Sequence, residues 1–322
     1  MTIMDFSPKY YKNGNYIVKT SDRRLIKRTC RIGEDFKADF PDSIDLKISN
    51  RCSWGCHFCH ESSVPDGKIL DLEKTKEILS QLPELPIEIA IGGGNIFEST
   101  EETLELINWL EDRGNQTRIT LNIRDIKNKK LTKRQQEILS IVGGIGVSLD
   151  SLPNTIISPY TGSESLSYSI YSDRNSYYHR NLVAHIIAGV FPVSQLDKLF
   201  EIADIPILIL GYKQWGRAKN TELPKSMSDF RDKIKQQIYK ERTGCYDAFY
   251  QGNTIGFDNL ALEQLDIRSS LTDQEWNSMY MGNEGTHSMY IDAVKGEFAR
   301  TSRSEDRVSW DSVGLLDYFK SL

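Results

Sequence analysis

From Ile44 onwards the chain alternates short apolar strands with stretches of helical period, and this alternation restricts its fold more than any other feature. Ile44-Asp-Leu-Lys-Ile-Ser has the period of two of a strand. Asp71 to Leu82 reads as a helix capped by Asp71, with Leu72, Ile78, Leu79 and Leu82 on one side. Ile87-Glu-Ile-Ala-Ile is a strand ending in Gly92-Gly93-Gly94. Thr100 caps a helix through Leu104, Ile107, Trp109 and Leu110, with Glu101 and Glu102 in its first turn. Arg118-Ile-Thr-Leu-Asn-Ile, Ile145-Gly-Val-Ser-Leu-Asp, Leu182-Val-Ala-His-Ile-Ile and Ile205 to Leu210 read as further strands. Helical patterns over Leu131 to Val142 and Val193 to Ala203 lie among them, and another follows over Phe230 to Tyr239. Thr254-Ile-Gly-Phe-Asp reads as a late strand.

Strand–helix repeats over roughly 200 residues mean βαβ units on a parallel sheet. The expected class is α/β, a partial or full (β/α) TIM-like barrel. Its core spans residues 44–215. Residues 1–43 form an N-terminal extension with strands at Asn15-Tyr-Ile-Val-Lys-Thr and Arg24-Leu-Ile-Lys-Arg-Thr. Residues 216–322 are expected to close the barrel and cover the substrate pocket. Tyr160 to Asn181, rich in Ser and Tyr, is too long for an ordinary connection and reads as a lid or an insertion.

Composition narrows the class. The chain has 322 residues, 39% hydrophobic and 26% charged, so collagen-like and wholly disordered classes are excluded. No apolar run is long enough to cross a membrane, and no secretory signal is visible, so a soluble, cytoplasmic protein is expected. The net charge of −5 opposes a globally basic nucleic-acid binder. Two basic stretches remain: Arg23, Arg24, Lys27, Arg28 and Arg31; and Arg124, Lys127, Lys129, Lys130, Lys133 and Arg134. Either binds phosphate or is a solvated face.

Three of five cysteines fall in Cys52-Ser-Trp-Gly-Cys56-His-Phe-Cys59, directly after a strand. Three thiolates on one tight loop suit three irons of a [4Fe–4S] cluster and leave the fourth iron open. A structural zinc site would add His57 or His60, but would normally split its ligands into two pairs. A ferredoxin would need a fourth cysteine.

These residues resemble the radical S-adenosylmethionine (radical SAM) superfamily, whose signature is C-x3-C-x-aromatic-C after the first barrel strand. Cys52, Cys56, Phe58 and Cys59 match it. Ile91-Gly92-Gly93-Gly94-Asn95-Ile96-Phe97 stands where the family has a Gly-Gly-Glu type motif. Val147-Ser148-Leu149-Asp150 and Ile207-Leu-Ile-Leu-Gly211-Tyr212 resemble later family strings. The resemblance covers residues 44 to about 215.

The resemblance implies one cluster held by Cys52, Cys56 and Cys59, and SAM as cofactor. Reductive cleavage of SAM would give methionine and a 5′-deoxyadenosyl radical that takes hydrogen from a substrate, in an oxygen-sensitive enzyme. Gly92, Gly93 and Gly94 would let the backbone meet the methionine amine. Asn95 replaces the family's Glu, losing its charge, and Glu98 stands nearby. Ser148 and Asp150 would face the ribose, Asn122 the SAM carboxylate or the substrate, and Gly211 and Tyr212 the adenine. The electron donor would be a flavodoxin or ferredoxin.

The substrate is open: a nucleotide or nucleic-acid base, a peptide side chain, or a small metabolite. Arg124, His185, Lys213 and Arg217 are candidates to meet it, lying at or beyond strand ends. Residues 246–322 hold no cysteine, which opposes an auxiliary cluster. Cys245 is a candidate hydrogen-atom donor or an inert thiol. Two other readings stand: a zinc-stabilised binding module, and a degenerate barrel that binds SAM without radical chemistry.

Overall fold

The computed structural model describes residues 9–21, 25–31, 34–127, 130–153, 156–157, 164–171, 181–243 and 254–322. Cys245, Arg23, Arg24, Lys129 and most of the 160–181 segment lie outside the described residues.

Strands β1 (Lys9–Asn13), β2 (Tyr16–Ser21) and β3 (Leu25–Thr29) form an antiparallel meander. The sequence pointed to the last two. β1, Lys-Tyr-Tyr-Lys-Asn, lacks apolar alternation and is ordered by its neighbour through Asn13↔Tyr16 pairing. Tyr11, Tyr16 and Val18 form a small cluster under the meander. Arg28 pairs with Asp42 at 2.5 Å, and Tyr16 Oη donates to Asp42 at 2.6 Å. Both partners of that ion pair are buried, so the carboxylate is fully hydrogen-bonded as its burial requires.

Asp42 leads into β4 (Ser43–Ser49), the first strand of the main sheet. The others are β5 (Glu88–Gly93), β6 (Gln116–Asn122) and β7 (Gly144–Ser148). After the small pair β8 (Ile156–Ile157) and β9 (Glu164–Ser165) come β10 (Leu182–Ile187), β11 (Ile207–Leu210), β12 (Ile255–Phe257), β13 (Ser288–Asp292), β14 (Glu297–Ala299) and β15 (Val308–Ser309). The sheet order is β12-β11-β10-β7-β6-β5-β4-β13-β14-β15, parallel from β12 to β13 and antiparallel beyond.

Helices α1 (Leu72–Leu79), α2 (Thr100–Asp112), the short α3 (Ile123–Ile126), α4 (Lys133–Ile141), α5 (Leu166–Tyr171) and α6 (Leu196–Ile202) connect the early strands. α7 (Met227–Thr243), α8 (Asn259–Gln264), α9 (Asp273–Met279) and α10 (Leu315–Lys320) follow. Asp71 caps α1 as expected, its carboxylate accepting from Lys74 N. Ile44, Leu46, Ile48, Ile89, Ile91, Ile119, Leu121, Ile145, Val147, Ala184, Ile186, Ile207 and Ile209 share one core with the helices' apolar stripes. Each fully buried Ile, Leu or Val among them contributes about 1.5–3 kcal/mol. The alternate residues of the same strands face the concave side.

No closed barrel forms among the described residues; the partial form of the expected barrel is the one adopted. The β13–β14 hairpin extends the sheet past β13, so its two edges are β12 and β15, and these do not pair with each other. The C-terminal third therefore adds strands at both ends of the sheet instead of closing it. No helix among the described residues is long and apolar enough to cross a membrane.

Candidate active site at the cysteine loop

The cysteine loop leaves the C-terminal end of β4 and folds back on itself. Cys52 N donates to Val64 O at 2.9 Å, Val64 N to Asn50 O at 2.9 Å, and Asn50 N to Lys68 O at 2.7 Å. Cys52, Cys56 and Cys59 are free thiols, each half-buried. Burial pushes the Cys52 thiol up. Among the described residues no group of three or more His, Cys, Asp and Glu side chains is gathered to hold one metal ion. His60 Nε2 lies 3.2 Å from Glu61 Oε1, and His57 packs edge-on against Phe58 at 5.0 Å. Phe58 itself is half-buried against the core.

Arg124 organises one flank. Its Nη2 lies 3.1 Å from Cys56 Sγ and 2.9 Å from Asp150 Oδ2. Its guanidinium stacks over Trp54 at 4.7 Å, and its Nε donates to Asn122 Oδ1 at 2.9 Å. Asn122 also caps α3 by accepting from Arg124 N. Asn122 and Asp150, expected at SAM, are thus both engaged by Arg124. Ser148 lies half-buried at the end of β7, in register between Asn122 and His185.

The glycine string ends β5 beside the loop. Gly94 N donates to Ser49 O at 2.6 Å, and Asn95 N to Arg51 O at 2.7 Å. A Cβ at Gly94 would stand 2.2 Å from Arg51 O, and Gly93 has φ +112°, so both positions need glycine. Gly92 is different: a Cβ there would meet nothing within 4 Å. It faces open space on the concave side. Asn95 is buried; its Oδ1 accepts from Phe97 N at 3.0 Å, and its Nδ2 donates to Asp125 Oδ1 at 2.8 Å. Glu98 accepts from Ser53 N at 3.0 Å and from Asn95 Nδ2 at 3.4 Å. Trp54 Nε1 donates to Asp125 Oδ1 at 2.8 Å. Asn95 and Glu98 therefore brace the cysteine loop.

The opposite flank is held by Arg217. Its Nε donates to Cys56 O at 2.8 Å, its Nη1 to Ser63 O at 2.6 Å, and its backbone N to Cys59 O at 3.0 Å. Gly211 and Tyr212 do not join this group. Gly211 N donates to Asp258 Oδ1 at 2.9 Å, and Tyr212 is buried, sharing a hydrogen bond with Thr221 Oγ1 at 3.0 Å and both backbone groups with Gln264. Cys30 Sγ donates to Glu34 O. Of the two basic stretches, Arg28 is spent on Asp42, Arg124 on Asp150, and Arg134 on Glu101 and Glu137.

A polar network lies inside the sheet. Lys47 Nζ pairs with Glu61 at 2.7 Å and Asp292 at 3.1 Å, and Tyr290 Oη donates to Glu61 at 3.2 Å. Burial works against the Glu61 carboxylate, but His60 and Lys47 more than offset it and hold its pKa well below the usual range. Sequence reading missed Asp45, Lys47 and Asp292. The available signal was the alternation itself: on a helix-covered parallel strand, the polar alternates have only the interior to face.

Comparison with solved structures finds SuiB from Streptococcus suis bound to S-adenosylmethionine, with TM-score 0.57 and 16% identity over 88% of this chain and 66% of that one. SuiB bound to its precursor peptide SuiA gives TM-score 0.58 and 17% identity over 88% and 65%. The chain spans just under two thirds of SuiB's length. Coproporphyrinogen III oxidase from Escherichia coli, a radical SAM enzyme, aligns with TM-score 0.39 and 13% identity over 67% of this chain and 56% of that one. No protein-family profile and no curated protein sequence matches.

Proposed function

From the premise that the chain shares its fold with SuiB, a protein solved with S-adenosylmethionine, we propose that it is a radical SAM enzyme whose cluster is held by Cys52, Cys56 and Cys59. One observation carries this reading: three free, half-buried thiols stand on the single loop after β4, and the neighbouring strand β5 carries near its end Gly92, where a Cβ would meet nothing within 4 Å. The donor set suits a [4Fe–4S] cluster, which takes one thiolate per iron, while His60 Nε2, a candidate zinc ligand, is engaged by Glu61. When bound, the cluster and SAM supply a one-electron cleavage that yields methionine and a 5′-deoxyadenosyl radical.

The chain's own residues set the stage for that chemistry. Arg124 places a guanidinium against Cys56 Sγ, offsetting thiolate charge by a charge-assisted hydrogen bond. Arg217 and Glu98 fix the loop from opposite sides. The bare Gly92 face gives a ligand room to lie against the strand end. Ser148 faces the same interior and is a candidate for ribose contact. The concave face then receives the substrate, with helices keeping water from its outer wall. SuiB is solved with a precursor peptide, which favours a peptide side chain over a nucleobase among the substrate classes.

The test is anaerobic reconstitution with iron and sulfide, followed by SAM and dithionite and chromatography for 5′-deoxyadenosine. Product from the wild type, and none from the variant with Cys52, Cys56 and Cys59 all changed to Ala, is the expected result. Zinc in place of iron would overturn the reading. Iron with SAM bound but never cleaved, in every substrate mixture tried, would leave a SAM-binding barrel without radical chemistry.

A further inference from the structure

The concave face holds polar side chains that the cysteine loop does not use. Asp45 lies on β4 between the buried Ile44 and Leu46, yet it is open to solvent. Among the described residues its carboxylate makes no hydrogen bond and no ion pair. Thr120, on β6 between buried Ile119 and Leu121, is likewise open and unpartnered. His185, on β10, is a third. Its ring lies over Gly146, where a Cβ would stand 2.1 Å from Cε1, and no hydrogen bond reaches either nitrogen among the described residues. Small residues separate these groups: Ala90 and Gly92 on β5, and Gly146 on β7. Three alternate strands, β4, β6 and β10, thus present polar side chains on the concave face that take no protein partner among the described residues, with the small residues of β5 and β7 between them.

The charge at that floor is one-sided. Glu88, Asp258 and Glu284 all act on Asp45 with the same sign, and Lys213 acts with the opposite one. Lys213 does not contact Asp45; its Nζ donates to Ser302 Oγ at 3.0 Å. Glu88 is paired with Arg118 at 2.8 Å and Glu284 with Arg303 at 2.8 Å, so neither needs a ligand. Asp45 is the carboxylate left over. Glu284 also lines a groove of about 770 Å³ with Trp276, Tyr280 and Arg303.

We infer that Asp45 is a substrate-binding residue that receives a cationic nitrogen, a protonated amine or a guanidinium, inside the half-barrel. This rests on the radical SAM reading and narrows its substrate to molecules bearing such a group. A carboxylate without a protein partner favours a charged donor, and the hydrogen bond it makes to one is among the stronger kinds. The basic side chain of a peptide and a free small amine share this chemistry.

The test uses the reconstituted, SAM-loaded protein and ligand-observed saturation-transfer NMR. The probes are N-acetyl-lysine N-methylamide and N-acetyl-arginine N-methylamide, their neutral norleucine isostere, their glutamate counterpart, and free cadaverine and agmatine. Cationic probes should bind and the neutral and acidic ones should not. D45N should weaken cation binding by about tenfold or more. K213Q, which removes the competing ammonium, should tighten it by about threefold; this opposite sign keeps the test intact if D45N folds poorly. Binding by the amino-acid derivatives alone assigns a peptide side chain, and by the free amines alone a small metabolite. Equal binding of norleucine and lysine probes, unchanged cation affinity in D45N and K213Q, or no binding by any cationic probe would each overturn the inference. Iron content and 5′-deoxyadenosine release, read on the wild type alone, report separately on the cofactor reading.

Discussion

Arg124 Nη2 stands 3.1 Å from Cys56 Sγ and, at the same time, 2.9 Å from Asp150 Oδ2. One nitrogen thus joins the cysteine loop to the end of β7, across β5 and β6. A guanidinium on a thiolate sulfur draws charge from it, and hydrogen bonds to cluster sulfurs raise the reduction potential. R124Q should therefore load iron but hold a cluster of more negative potential, read by EPR-monitored redox titration. An unchanged potential would mean that Arg124 turns wholly to Asp150 once the loop is loaded.

Gly92 and Gly94 should behave oppositely. A methyl at Gly92 meets nothing and the position needs no positive φ, so G92A should keep the wild-type melting temperature while weakening SAM binding. At Gly94 the added atom would press on Arg51 O at 2.2 Å, and G94A should cost about 3 kcal/mol of stability. Calorimetric titration with SAM and thermal melts separate the two. Equal SAM affinity in G92A would remove that face from the ligand site.

N95A should lose stability as well as any ligand contact. It removes the cap on the turn at Ile96–Glu98 and leaves Asp125 short of one donor, together about 2 kcal/mol. Urea denaturation of the protein checks this. An unaltered midpoint would mean that water replaces the amide at no cost.

Asp45 gives a pH dependence of definite sign. Burial, only partly relieved by Lys213 and reinforced by Glu284, Glu88 and Asp258, raises its pKa from 3.8 to about 6. The folded state then binds this proton more tightly than the unfolded chain does. The Asp45 contribution is therefore neutral below about pH 3.8, becomes destabilising between pH 3.8 and 6, and stays so above. D45N should melt higher than wild type at pH 8 and level with it at pH 4, by a margin that solvent access keeps modest. A D45N advantage that does not change with pH would show that this carboxylate is not strained by its surroundings.

The cysteine loop and the strands of the parallel sheet were legible because their signals are local. Ile44-Asp-Leu-Lys-Ile carries its own period, and Cys52, Cys56 and Cys59 their own spacing. β13 was not legible. Ser288-Met-Tyr-Ile-Asp is ordered by pairing with β4, and its Asp292 meets Lys47 over a separation of 245 residues, which no window along the chain reveals. Residue roles proved harder than residue positions. Asn95 stands at the end of β5 as expected, but its amide is committed to Phe97 and Asp125. Arg217 looked like a substrate contact because it follows a strand, and the structure turns it onto the backbone of Cys56, Cys59 and Ser63. Which partner a polar side chain takes is decided by what lies within reach, and only the fold settles that.

That arginine ties two distant parts of the chain together. Its bond to Cys56 O spans 161 residues. The geometry of the thiol loop therefore depends on a residue far along the chain from it, a long-range contact that local folding around β4 and β5 does not supply.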